Sequence, residues 1–182
     1  MIHKLSHAEI SANRQKLESL DNKRRMPVSL LLHSIRSGYN VGSLFRTADA
    51  CFLEKIYLTG YTATPEQSEV SKTALGATES IPWEYHQDPI ELALAMKNKG
   101  IKLVALELTD SGITYSNYPK EEFPLCLIPG NEITGVAKEL LDLCDYAIEI
   151  PQFGIKQSMN IAVSTGIALY ELRKIYSNNF TK

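Results

Sequence analysis

The sequence predicts an α/β fold built on a mostly parallel sheet flanked by helices, and three observations carry that prediction. From residue 28 onward, short apolar runs alternate with stretches whose apolar residues recur at helical spacing. The runs are too short for helices and nearly continuous, as strands covered on both faces are. Three of them end in loops of unusual polar residues, and loops at one edge of an open α/β sheet share a crevice where ligands bind.

Residues 1–27 stand apart as a basic helical extension, and 28–182 form one domain. Ser6 and Glu9 have the spacing of a capping box opening a helix to about Leu20. The extension carries Lys4, Arg14, Lys16, Lys23, Arg24 and Arg25 against Glu9, Glu18 and Asp21. It is either a solvated surface helix or an arm that touches phosphates. The first strand covers 28–32 and leads through Arg36-Ser37-Gly38-Tyr39, a turn, to a helix over 41–52 with Asn40 as its N-cap. Val41, Leu44, Phe45, Ala48 and Phe52 form its buried face; Ser43, Arg46 and Ala50 lie on another. A strand over 55–58 is followed by a polar loop, 61–80, whose length without pattern is itself a sign of function. A helix fits 88–98, closed by Gly100, and strands fit 102–108 and 125–128. A helix over 135–143, a strand over 146–150 and a helix over 158–176 complete the alternation.

Bulk properties exclude several classes. With 182 residues, 44% hydrophobic and 22% charged, the chain can bury a core. A net charge of -2 and a pI of about 6.1 do not advertise nucleic-acid binding, so any RNA must meet a local basic surface. Cys51, Cys126 and Cys144 have no C-x-x-C spacing and read as small buried hydrophobes in a reducing compartment. The four histidines lack ligand spacing, so no metal is expected. There is no apolar leader after Met1 and no apolar run of 18 residues, which makes the expected address cytoplasmic, with no membrane. The Gly-rich dinucleotide fingerprint, the P-loop and the G-x-S-x-G elbow are all missing.

Chemistry concentrates in the three loops. The first holds Asn40 and Arg46; taken alone, Arg46 is also what a solvated helix arginine looks like. The second is Pro129-Gly130-Asn131-Glu132-Ile133-Thr134-Gly135, where glycines let backbone approach a ligand and Glu132 either meets that ligand or only complements a helix dipole. The third runs from Ile150-Pro151 to Ser158-Met159-Asn160, whose polar residues also suit helix caps.

In this order the three stretches resemble the three motifs of the SpoU/TrmH-type RNA 2′-O-ribose methyltransferases of the SPOUT superfamily, over roughly residues 28–176. The resemblance implies a SPOUT-type sheet with a C-terminal deep trefoil knot, a homodimer, S-adenosyl-L-methionine as cofactor, and methyl transfer to a ribose 2′-hydroxyl of RNA. Transfer RNA is favoured over ribosomal RNA because so little of the chain lies beyond the catalytic domain. It implies Arg46, Asn40, Glu132, Ser158 and Asn160 as the catalytic set. Leu106, Gly130, Asn131, Ile150, Ser158 and Met159 match the cofactor-binding positions, with Met159 where leucine is common and Asn131 where serine is frequent. The basic residues available for RNA are Lys23, Arg24, Arg25, Arg36 and Lys72, with Arg46, so binding should weaken as salt rises. The competing reading is a non-catalytic RNA-binding or assembly factor on the same fold, separated by whether methyl transfer accompanies cofactor binding; a small-molecule α/β enzyme is disfavoured by the missing dinucleotide and nucleophile motifs.

Overall fold

The computed structural model describes residues 2–12 and 24–177. Helix α1 (His7–Ala12) has the expected capping box: the Ser6 N–H donates to Glu9 Oε2 at 2.7 Å and the Glu9 N–H to Ser6 Oγ at 3.3 Å. None of its residues is buried. The continuation to Leu20, and Lys23, lie outside the described residues.

Seven strands form one sheet: β1 (Met26–His33), β2 (Leu53–Thr59), β3 (Trp83–His86), β4 (Lys102–Leu106), β5 (Ile113–Thr114), β6 (Leu125–Pro129) and β7 (Tyr146–Glu149). Their order is β3-β2-β1-β6-β4-β7-β5, and every pairing is parallel. Six further helices are α2 (Gly38–Cys51), α3 (Ser68–Ala74), α4 (Ala77–Ser80), α5 (Pro89–Asn98), α6 (Lys138–Leu141) and α7 (Ile161–Ser177).

Strand periodicity divides the core between the two faces of the sheet. Val28, Leu30 and Leu32 of β1 pack with Phe45 of α2 and Leu169 of α7, while Leu31 between them packs with Leu92 and Met96 of α5 and Leu140 of α6. That double coverage is why β1 reads as a continuous apolar run. The connections β1-α2-β2 and β2 to β3 step one way from β1, while β6, β4 and β7 lie on its other side. The C-terminal ends of β1, β6, β4 and β7 are therefore adjacent at the point where the strand order reverses, which is where an open α/β sheet leaves a crevice.

Several boundaries differ from expectation. Helix α2 begins at Gly38 with Ser37 as its N-cap, the Ser37 Oγ accepting from the Asn40 N–H at 3.3 Å; Asn40 sits inside the first turn, and its side chain is left for tertiary contacts. The 61–80 stretch is not a plain loop but holds α3 and α4. Only Val70 and Ala74 of α3 are buried, too few for an apolar period to show. The unexpected β3 and β5 are the two edge strands, and neither has a fully buried residue. Helix α6 starts at Lys138 rather than 135, because Gly135 adopts φ 69° and exchanges two backbone hydrogen bonds with Asn131, 2.9 and 3.1 Å. The apolar run at 102–108 stops pairing as a strand at Leu106, which places Glu107 at a strand end.

Helices α2 and α3 touch through glycine. A Cβ on Gly42 would lie 2.7 Å from both the Val70 carbonyl oxygen and Thr73 Cβ, so only hydrogen fits. Two of the three cysteines behave as expected of apolar residues: Cys51 and Cys126 are buried, and burial pushes their thiols up to about 11 and about 12, whereas Cys144 is only half-buried.

Candidate active site

The loop leaving β1 is fixed by a buried threonine. Thr62 Oγ1 accepts from the Ile35 N–H at 3.0 Å and donates to the Leu32 carbonyl at 2.9 Å. This holds Arg36 and Ser37 so that their backbone N–H groups reach Glu132, at 3.1 and 3.4 Å. Asn40 Nδ2 donates to Glu132 Oε1 at 3.0 Å, and Asn40 Oδ1 accepts from Asn160 Nδ2 at 3.1 Å. Asn160 Oδ1 in turn caps α7, accepting from the Ala162 N–H at 2.9 Å and the Val163 N–H at 3.4 Å. Glu132, Asn40 and Asn160, one from each of the three loops, thus form a single hydrogen-bonded chain across the sheet edge. Each amide is oriented at both ends. Burial raises the Glu132 carboxyl, but the donors from Asn40, Arg36 and Ser37 outweigh it and hold the group below the usual carboxylate range.

Beside this chain lies a cleft of about 630 Å³ between the ends of β4, β6 and β7. Leu106, Gly130, Asn131, Ile150, Ser158 and Met159, the six positions matched to cofactor binding, all line it, and Glu132 and Asn160 join them. A residue that sequence reasoning missed organises its wall. Glu107 Oε2 accepts from the Val136 N–H at 2.9 Å and Oε1 from the Leu108 N–H at 3.0 Å, which ties the β6 loop to the end of β4. A Cβ on Gly130 would lie 2.8 Å from Glu107 Oε2 and 3.0 Å from Gly135 Cα, so a larger residue there would push the Glu107 carboxylate aside. An acid closing an apolar strand was the available signal. Asn131 is also structural: its Oδ1 accepts from the Ile133 N–H at 2.9 Å, and its Nδ2 donates to the Ser34 carbonyl and to the Tyr61 hydroxyl.

Not every expected residue gathers here. Arg46 is exposed on α2 and does not line the cleft. Arg36 and Lys72 are exposed. Arg25 lies at the opposite edge of the sheet, where its guanidinium donates to the Leu53 carbonyl at 3.1 Å and the Ser80 carbonyl at 2.8 Å and stacks 4.6 Å from the Phe52 ring. Arg24 precedes it at that same edge. The structure does not bring this pair to the cleft.

The sequence pattern of the SpoU rRNA Methylase family matches residues 27–170. The chain belongs to this family. Among its relatives, a tRNA (guanosine(18)-2′-O)-methyltransferase of Aquifex aeolicus is 29% identical over 163 residues, covering 88% of this chain and 75% of that protein. A 23S rRNA (guanosine-2′-O-)-methyltransferase of Neisseria meningitidis is 30% identical, over 91% of this chain and 66% of its own length. The crystal structure of the A. aeolicus TrmH/SpoU tRNA modifying enzyme superposes with a TM-score of 0.81 at 26% identity, covering 90% of this chain and 82% of that one. The AdoMet-bound rRNA methyltransferase from Sinorhizobium meliloti gives 0.78 at 28% identity, covering 87% and 59%.

For a SpoU family member the cleft suits the methyl donor of the family. Its volume falls within the range of about 300–1,000 Å³ usual for small-molecule sites. Its side chains include Glu107, Glu132 and Glu149 and no lysine, arginine or histidine, which favours a ligand carrying positive charge such as a sulfonium. Leu106, Ile150, Met159 and Ile161 supply apolar wall for a purine. Among the described residues no group of three His, Cys, Asp or Glu is placed to hold a metal, and no helix is long and apolar enough to cross a membrane.

Proposed function

We propose that this chain is an S-adenosylmethionine-dependent methyltransferase acting on a ribose 2′-hydroxyl of RNA, transfer RNA first and ribosomal RNA second. The observation that carries the reading is the Glu132–Asn40–Asn160 chain at the lip of an acidic cleft, joining all three family motifs. When bound, S-adenosylmethionine supplies a methyl group on a positively charged sulfur. The chain's residues do the rest. Gly130 and the backbone around Ile150 and Ser158 hold the donor, and Asn131 and Glu107 keep that wall in place. The Asn40 and Asn160 amides, pre-aligned by Glu132, would orient the ribose so that its 2′-hydroxyl faces the methyl donor. A ribose hydroxyl is a weak acid that would pass its proton to solvent water as its oxygen takes the methyl, and the negative charge developing on that oxygen needs positive charge nearby. Arg46 supplies that charge to the reacting oxygen or the adjacent phosphate through its planar, multi-donor guanidinium.

The same reading extends to assembly and address. The protein works as a homodimer with a C-terminal trefoil knot, as its family resemblance implies, and we place it in the cytoplasm, a reducing compartment that its free thiols suit. Lys23 and Arg24 of the basic extension, with the exposed Arg36 and Lys72, add phosphate contacts outside the cleft, whereas Arg25, its guanidinium held by the Leu53 and Ser80 carbonyls, serves the fold.

The test joins two measurements. Calorimetry with S-adenosylmethionine is expected to show binding, and tritium from its methyl group is expected to appear in total cellular RNA as 2′-O-methylnucleosides after digestion. Cofactor binding without transfer to any RNA would overturn the enzymatic reading in favour of a non-catalytic factor, and label found on bases rather than ribose would overturn the choice of acceptor.

A further inference from the structure

We propose that Tyr61 is a stacking platform for an unpaired base of the RNA substrate beside the ribose to be methylated, an inference that rests on the function proposed above. Tyr61 follows the end of β2 and is 65% exposed, yet its ring is fixed. Its hydroxyl accepts from Asn131 Nδ2 at 3.2 Å, and the same nitrogen donates to the Ser34 carbonyl at the end of β1. The Tyr61 side chain from the end of β2 and the Asn131 side chain from the loop after β6 therefore meet over the end of β1.

The backbone beneath it is held as firmly. Gly60 takes φ 64°, and its carbonyl accepts from the Tyr85 hydroxyl at 2.9 Å. On the other side Thr62 is buried and ties the β1 exit through two hydrogen bonds. A singly exposed aromatic is ordinary on a protein surface. A ring pinned at its hydroxyl and at both flanking residues, with its face open, is different, because little rotamer freedom remains to be lost when a flat partner stacks on it.

Placement decides what that partner is. Tyr61 does not line the cofactor cleft, so its ring is not a seat for the donor's adenine, yet its hydrogen-bond partner Asn131 does line it. The ring thus stands one residue outside the cleft, on the side where Glu132 and the exposed Arg36 meet the β1 exit. RNA read in single-stranded loops presents splayed bases to aromatic rings, with arginine adding charge to the stack.

The test uses fluorescence anisotropy with two labelled single-stranded RNA 12-mers, oligoadenylate and an abasic oligomer of the same backbone. Wild type is expected to bind the oligoadenylate more tightly. Tyr61→Ala is expected to weaken that binding by about tenfold, the scale of one lost base stack, while leaving abasic binding unchanged. Tyr61→Phe, which keeps the ring, is expected to retain most of the preference. Thermal melting and S-adenosylmethionine calorimetry on each variant distinguish lost stacking from lost structure. Wild type binding both oligomers equally, or Tyr61→Ala keeping the preference while folded, would overturn the platform. Methyl transfer to total RNA is measured in parallel: transfer with an unchanged KM in Tyr61→Ala refutes the platform and leaves the enzymatic reading standing, whereas no transfer by wild type refutes that reading itself.

Discussion

The Arg46 side chain is exposed and makes no hydrogen bond or ion pair with any described residue, so removing it should cost the fold little, and on the function proposed above its charge serves the reaction. Arg46→Ala is therefore expected to leave thermal stability within about 0.5 kcal/mol of wild type while turnover on total RNA falls by about 100-fold or more. Arg46→Lys keeps a charge but loses the planar fork, so its turnover should also fall substantially. Near-native turnover of the lysine variant would mean that a point charge suffices. Glu132 is the opposite case, a carboxylate saturated with donors. Its carboxyl is held below the ordinary value of 4.5, so its stabilising contribution is complete above that value and is lost as pH falls through the lowered one. Glu132→Gln should cost at most about 1 kcal/mol at pH 7, because the side chain is exposed, and urea melts of the two proteins should converge as the pH drops below 4.5. Activity should suffer more than stability, by about 100-fold in kcat, since both amides lose their alignment. A Glu132→Gln enzyme with normal kcat would remove the aligned chain from the mechanism.

At the level of elements, what the sequence made legible was decided by burial. β1, β4 and β6 are covered on both faces and announce themselves as apolar runs, whereas β3 and β5 are edge strands without that signal. Helix ends followed local chemistry that competed with tertiary demands. Asn40 is a sound N-cap by residue type, but Ser37 takes the cap and Asn40 turns to Glu132. The packing of α2 on α3 was not legible at all, since nothing in Gly42 tells a helix glycine that is required from one that is only tolerated. Two substitutions separate these cases. Gly42→Ala drives a methyl into the Val70 carbonyl and Thr73, both at 2.7 Å, and should destabilise the protein by about 1–3 kcal/mol. Gly166→Ala in α7 meets only Thr47 Cγ2 at 3.7 Å, an ordinary contact, and should stabilise by about 0.5–1 kcal/mol through helix propensity. Thermal denaturation of the pair reads both signs, and a stabilising Gly42→Ala would show that α2 and α3 can separate at little cost.

For the whole molecule, the sequence singled out Asn40, Glu132 and Asn160 but not how they pair. Asn40 meets Glu132 across 92 positions and Asn160 across 120, and only the strand order brings those loops together. Charge was legible as a total and not as a surface: Arg25 counts as a cation in the sequence, yet its guanidinium is engaged by two backbone carbonyls. The apolar surface raises the remaining question of assembly. Phe153 and Ile155, in the loop between β7 and α7, are each 98% exposed, and Val163 and Tyr170 on α7 and Ile133 after β6 are more than half exposed. We expect the homodimer proposed above to cover these open side chains with a second copy of the chain, since extended exposed apolar surface is common at contacts between proteins. The protein is then expected to sediment at twice its chain mass of 20.3 kDa. Phe153→Asp combined with Ile155→Asp should shift it toward the single-chain mass, because burying two carboxylates in an apolar contact costs more than the contact returns. Melting of the double variant should stay cooperative, since neither side chain packs against its own core. A wild-type chain that sediments as a monomer at every concentration would refute the dimer, and a double variant that remains dimeric would move the interface away from this loop.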